Sequence, residues 1–182
     1  MKQVKKRIEK WLEDFIIDLN LCPFAKKPWQ AGQVRIVAVA SETEDDLTQV
    51  LLKEILDLVE IDKKELETTL IVHPNLLNDF DEFLAYIEWT EELIQKGGVE
   101  GLIQIVGFHP DYYFEGSKKE DSANFTNRSP YPLLHLIRGE SVEEAIEYYP
   151  NIKEIPKRNI ELLRKMDVEE LIKLCRYLVN GT

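Results

Sequence analysis

The chain is short of cysteine, glycine and positive charge, and each shortage removes a class of function. Two cysteines in 182 residues, Cys22 and Cys175, are too few for the disulfide framework of a secreted scaffold. No stretch reads as a signal peptide, and none supplies the roughly 18 consecutive apolar residues of a membrane helix. The expected location is cytoplasmic, with no membrane partner. None of the 8 glycines builds a glycine-rich turn behind an apolar run, so the usual cradle for nucleotide phosphates is missing. With 23 Lys and Arg against 34 Asp and Glu, the net charge of -11 opposes attraction to nucleic acid. No internal repeat is present. The length fits one domain, which would bury roughly 70% of the surface its unfolded chain exposes and needs no metal to fold.

What is present is a regular alternation of apolar periods. From Val4, the residues Ile8, Trp11, Leu12, Phe15, Ile16 and Leu19 recur at helical spacing, and Pro23 disfavours helix at Cys22, where the segment should stop. Val34 to Ala40 is apolar at nearly every position and rich in β-branched residues, the pattern of a strand covered on both faces. Ser41 and Glu44 have capping-box spacing ahead of a helix carrying Leu47, Val50, Leu51, Ile55, Leu58 and Val59. A second strand, Thr68 to Val72, leads into His73-Pro74. A third helix, capped by Asn78 and ended by Gly97-Gly98, follows. A third strand, Leu102 to Val106, runs into Phe108-His109-Pro110.

Strand, helix, strand, helix, strand is the grammar of parallel crossovers. The expected fold is α/β: a small, mainly parallel sheet of three strands flanked by helices, with a long irregular loop after the third. Leu133 to Ile137 fits either a fourth strand or a short helix. Ser141 with Glu144 has capping spacing for a helix through Tyr148, and Pro156 opens another. In the last helix Val168, Leu171, Ile172, Cys175 and Leu178 share one side, which makes Cys175 core. Residues 1–182 form one domain in this reading, with 167–180 as a helical extension.

The loop from Phe108 to Arg138 is much longer than the ~4–6 residues of an ordinary connection, so it is either functional or disordered. Its aromatics, among them Tyr112, Tyr113, Phe114, Phe125 and Tyr131, argue for an ordered functional loop. His73 and His109 each follow a strand and precede a proline, which places both imidazoles at the carboxyl edge of the sheet, where open parallel sheets bind ligands. Asp111 sits two residues beyond His109, in reach to orient it. Cys22, at a helix end, is the candidate nucleophile. Cys22, His73, His109 and Asp111 are thus the catalytic candidates. Tyr112, Asn127, Arg128, Tyr131, His135 and Arg138 are the ligand-binding candidates, the arginines because a guanidinium fork suits a carboxylate or phosphate. The same loop is neutral within an acidic chain, which leaves room for a small anion. No two histidines or cysteines have the close spacing of a metal motif, so no metal is assigned; a site built from His, Cys and Asp of distant segments stays an alternative. The cofactor, the oligomeric state and the reaction are not legible.

The runs Asn20-Leu21-Cys22-Pro23-Phe24-Ala25, Thr69 to Pro74, Phe108 to Tyr112, and Asn127-Arg128-Ser129-Pro130-Tyr131-Pro132 through His135 together resemble a bacterial family, domain of unknown function number 1415. The resemblance runs to about Arg164 and includes Ile155 to Ile160, with the tail from Asp167 as an addition. It implies the segmentation above and carries no mechanism. Two expectations from different classes follow. One is a pocket at the carboxyl edge that binds, and acts on, a small anionic molecule by histidine acid–base or cysteine chemistry. The other is a protein-interaction module whose histidines are structural. If Cys22, His73, His109 and Arg128 line one cleft the first gains support; if they are scattered, the second does.

Overall fold

The computed structural model describes residues 1–176. Helix α1 (Lys2–Trp11) continues without a break into a wider π turn, Leu12–Ile17, and the chain reverses at Asn20, whose φ is 52°. A short α2 (Lys26–Gln30) leads to β1 (Val34–Ala38), α3 (Glu44–Glu60) and β2 (Thr68–Val72). Then come α4 (Phe80–Lys96), β3 (Ile103–Phe108), β4 (Leu133–Arg138), α5 (Gly139–Tyr148), α6 (Ile155–Lys165) and α7 (Val168–Arg176). Leu133 to Ile137 is therefore strand. The part of the expected C-terminal extension beyond Arg176, with Leu178, lies outside the described residues.

The sheet has four strands in the order β1-β2-β4-β3, and it is mixed rather than mainly parallel. β1 pairs parallel with β2, but β4 runs antiparallel between β2 and β3. The expectation of a mainly parallel sheet fails because the chain after the third strand turns back as β4, which takes the slot between β2 and β3 and runs antiparallel to both. The strands still alternate between two cores. Ile71, Leu134, Leu136, Ile103 and Ile105 pack on one face with Leu47, Leu51, Phe80 and Phe83 of α3 and α4. Leu70, Val72 and Leu133 pack on the other with Ile8, Trp11, Phe15 and, from the C-terminal helices, Leu163 and Leu171. Cys175 is 1% exposed in this second core.

The caps sit a residue or two beyond the spacing expected from sequence. Thr43, not Ser41, opens α3, its hydroxyl accepting from the Asp46 N–H, and Glu44, Asp45 and Asp46 place negative charge at the positive helix end. Asp79, not Asn78, opens α4 by accepting from Asp81 and Glu82. α5 starts at Gly139 straight from β4, so Ser141 lies inside the helix instead of capping it. Gly139 is needed there for close approach: a Cβ at that position would lie 1.8 Å from the Gly101 carbonyl oxygen.

The long connection between β3 and β4 is ordered and contains a 3-10 helix, Ser122–Asn127. Fully buried Asn124 staples it, accepting from the Phe114 N–H and the Ser117 hydroxyl and donating to the carbonyls of Lys118 and Lys119. Asp121 ties the loop to α6 through a two-bond pair with Arg164, which holds its carboxyl down at about 2.

Candidate functional site

Side chains alternate across a strand, so His73 and His109, each one residue past its strand, extend the row that faces α3 and α4. The two stand at the same edge of the sheet, with β4 between their strands. Both are fully buried. The Phe83 ring lies between them, 6.0 Å from the His73 ring and 5.1 Å from the His109 ring, and Phe80 packs on His109 at 5.3 Å. Tyr112 and Tyr113 close this aromatic box against Phe80 at 5.1 and 4.9 Å.

The hydrogen bonds fix both tautomers. His109 accepts the Asp111 backbone N–H at Nδ1, so its Nε2–H donates to the Leu77 carbonyl at 3.2 Å. His73 donates from Nδ1 to the Leu76 carbonyl at 3.0 Å, and its Nε2 lone pair is buried with no partner among the described residues. Burial holds both rings neutral, lowering the His109 pKa and pushing His73 down to about 4.

The remaining candidates lie elsewhere. Cys22 packs on the opposite face of the sheet, with the α1 core, and burial raises its thiol pKa, the amides of Phe24 and Ala25 lowering it in part. This environment suits an inert thiol better than a nucleophile. His135 also faces that side; its Nε2–H donates to the Thr68 hydroxyl at 2.8 Å, and burial pushes it down to about 4. Arg128 spends its guanidinium on the loop, donating to the carbonyls of Tyr112 and Lys119 above the Phe125 ring. Arg138 begins at the far edge of the sheet, buried, and donates to Ile61 and Leu66 carbonyls just past the end of α3. Tyr131 accepts from Arg7 at 2.7 Å and packs in the α1 core. Asn127 donates from its side chain to the Gly107 carbonyl and accepts the His109 N–H at its own carbonyl. Asp111 is exposed, and its backbone N–H donates to His109 Nδ1. The candidates thus fall into three places, not one cleft. Among the described residues no group of three or more His, Cys, Asp and Glu is arranged to hold a metal.

A groove of about 630 Å³ lies elsewhere, along the free edge of β3. Its floor is Ile94, Ile103, Ile105 and Val142, and its walls carry Glu88, Glu91 and Glu92 from α4, Glu100 from the turn before β3, and Glu143 from α5. Glu92 is paired with Lys96, whereas among the described residues Glu88, Glu91, Glu100 and Glu143 form no ion pair. Sequence reasoning missed this feature because helix glutamates read as a solvated face. The signal was Gln104: an exposed polar residue between Ile103 and Ile105 does not fit a strand covered on both sides.

A family profile described as a protein of unknown function (DUF1415) matches residues 3–173. The chain belongs to this family. No curated protein and no solved structure matches it. The DUF1415 match ends at residue 173, inside α7.

The buried histidines of this DUF1415 chain make its stability depend on acidity. His73 takes a proton near 6.5 when unfolded but at about 4 when folded, so between those values the unfolded chain binds more protons. Stability is full above pH 6.5 and falls as pH drops toward 4, by on the order of 3 kcal/mol for His73 alone. Urea denaturation at pH 7 and pH 5 should show the loss, and His73→Gln should have a shallower pH slope. A wild-type stability that is flat over that range would contradict the neutral, buried imidazole.

Proposed function

We propose that the protein is a protein-interaction module that offers the groove along β3 to a partner. The observation that carries this reading is the groove itself. It combines an apolar floor with an open sheet edge and unpaired charge, the ingredients of a recognition surface for peptides. The dispersal of Cys22, His73, His109 and Arg128 over separate places weighs in the same direction. Random 12-residue peptides displayed on phage and selected against the immobilised protein should enrich sequences that compete with one another. Those peptides should bind at least tenfold more weakly to Val142→Arg, whose new side chain fills the floor. Peptides that bind both proteins equally, or a selection that enriches nothing, would argue against the groove.

A second reading rests on His73 Nε2, a buried acceptor without a donor among the described residues. Native interiors seldom leave such an atom unpaired, and a ligand or an ordered water is the usual partner. In this reading the aromatic box under the loop holds a small molecule, and the neutral imidazoles serve acid–base chemistry on it. A ligand with a hydrogen-bond donor suits a neutral acceptor, and an anionic one would also need a cation from the loop. A thermal-shift screen that includes inorganic phosphate, small carboxylates and neutral amides tests it. A compound that raises Tm for the wild type but not for His73→Gln is expected, and no shift with any compound would end this reading.

A further inference from the structure

The sheet pairing says which atoms of β3 face the groove. The Gly139 N–H donates to the Leu102 carbonyl at 2.8 Å, so the pair Leu102 and Gly139 is of the hydrogen-bonded kind. By alternation Gln104, Val106 and Phe108 direct their amides and carbonyls toward β4, and Ile103, Ile105 and Gly107 direct theirs away from it. Asn127 supports the assignment independently. It binds the Gly107 carbonyl with its side chain and the His109 N–H with its backbone, as a neighbouring strand would. The outer edge is therefore closed at Gly107 and His109 and open at Ile103 and Ile105, on the groove floor.

Resting on the interaction reading above, we infer that the occupant is an extended, basic segment of another protein that adds to β3 as a fifth strand. Main-chain bonds to Ile103 and Ile105 supply the register, and alternate side chains of the added strand meet the apolar floor and the walls. The walls decide the charge. Among the described residues Glu88, Glu91, Glu100 and Glu143 have no ion pair, and none of those lining the groove is Lys or Arg. A partner bringing Lys or Arg supplies the missing counter-charge and arrives faster by attraction to a chain of net charge -11. The same charge disfavours a second copy of this chain, because edge-to-edge pairing would set two acidic grooves against each other. Leu102, which leads into β3 and is 52% exposed, adds apolar surface beside the entry.

The probes are two synthetic peptides, acetyl-(Lys-Val)4-amide and acetyl-(Glu-Val)4-amide, titrated against the full chain with amide shifts as the readout. The lysine peptide should bind at least tenfold more tightly than the glutamate peptide, weaken as salt rises, and weaken at least tenfold again on Glu91→Lys with Glu143→Lys. Strand addition makes a second demand. N-methylation at every lysine and at every valine gives two variants, of which one should lose binding and the other keep it, because only alternate amides of an added strand face β3. A lysine peptide that tolerates both methylation sets would overturn strand addition and leave the interaction reading standing. Equal affinity for the two peptides would overturn the basic partner. A dimer of the chain alone, seen by sedimentation and protecting the Ile103 and Ile105 amides, would overturn the assignment to a separate protein. Binding by neither peptide overturns the inference, while the interaction reading itself stands or falls on the phage selection.

Discussion

The structure depends on where β4 lies. Its pairing on both sides, with β2 and with β3, places an antiparallel strand inside what would otherwise be a parallel sheet. Three consequences follow. β3 is pushed outward and becomes an edge strand. The connection from β3 must leave the carboxyl edge and come back to it, which sets the long loop over the ends of β2 and β3. And the start of α5 is brought against the turn before β3, so closely that only glycine fits at position 139. The groove and the course of the loop are both products of this one insertion.

The loop is held by the kind of bonding that belongs to a scaffold. Three of the six ligand-binding candidates bond main-chain atoms with their side chains: Arg128 donates to loop carbonyls and Asn127 holds the edge of β3. Arg138 does the same at the other edge of the sheet, beyond the end of α3. A buried carbonyl left unbonded costs about 1–3 kcal/mol, so a 24-residue connection packed against a sheet needs many such donors. Arginine serves this purpose well, because its planar fork reaches two carbonyls at once. The same geometry that suits carboxylate and phosphate ligands therefore suits irregular backbone, and composition alone does not separate the two.

Much of the fold was legible because it rests on local pattern. The apolar periods of α1, α3 and α4, the three early strands and the core position of Cys175 follow from spacing that the sequence carries residue by residue. The shared edge of His73 and His109 followed from strand direction, and β4 changes the pairing without changing that direction. What was not legible is non-local. Leu133-Leu134-His135-Leu136-Ile137 has the same composition whether it is an outer strand, an inner strand or a helix, and only pairing with both neighbours decides it. The groove needed that decision first, since Glu88, Glu91 and Glu143 meet across an edge that exists only when β3 is outermost. The scatter of the candidate site residues has the same origin: Cys22 and His135 lie on the far side of a sheet whose strand order the sequence does not state.

The central claim is that β3 presents Ile103 and Ile105 to an open groove while Asn127 seals the edge beyond them. Amide hydrogen exchange in the free protein measures this directly. Fast exchange is expected at Ile103 and Ile105, slow exchange at Gln104, Val106 and Phe108, which are bonded to β4, and slow exchange at His109, whose N–H is held by Asn127. Slow exchange at Ile103 and Ile105 in the free, monomeric chain would mean that the edge is already covered, and would contradict it.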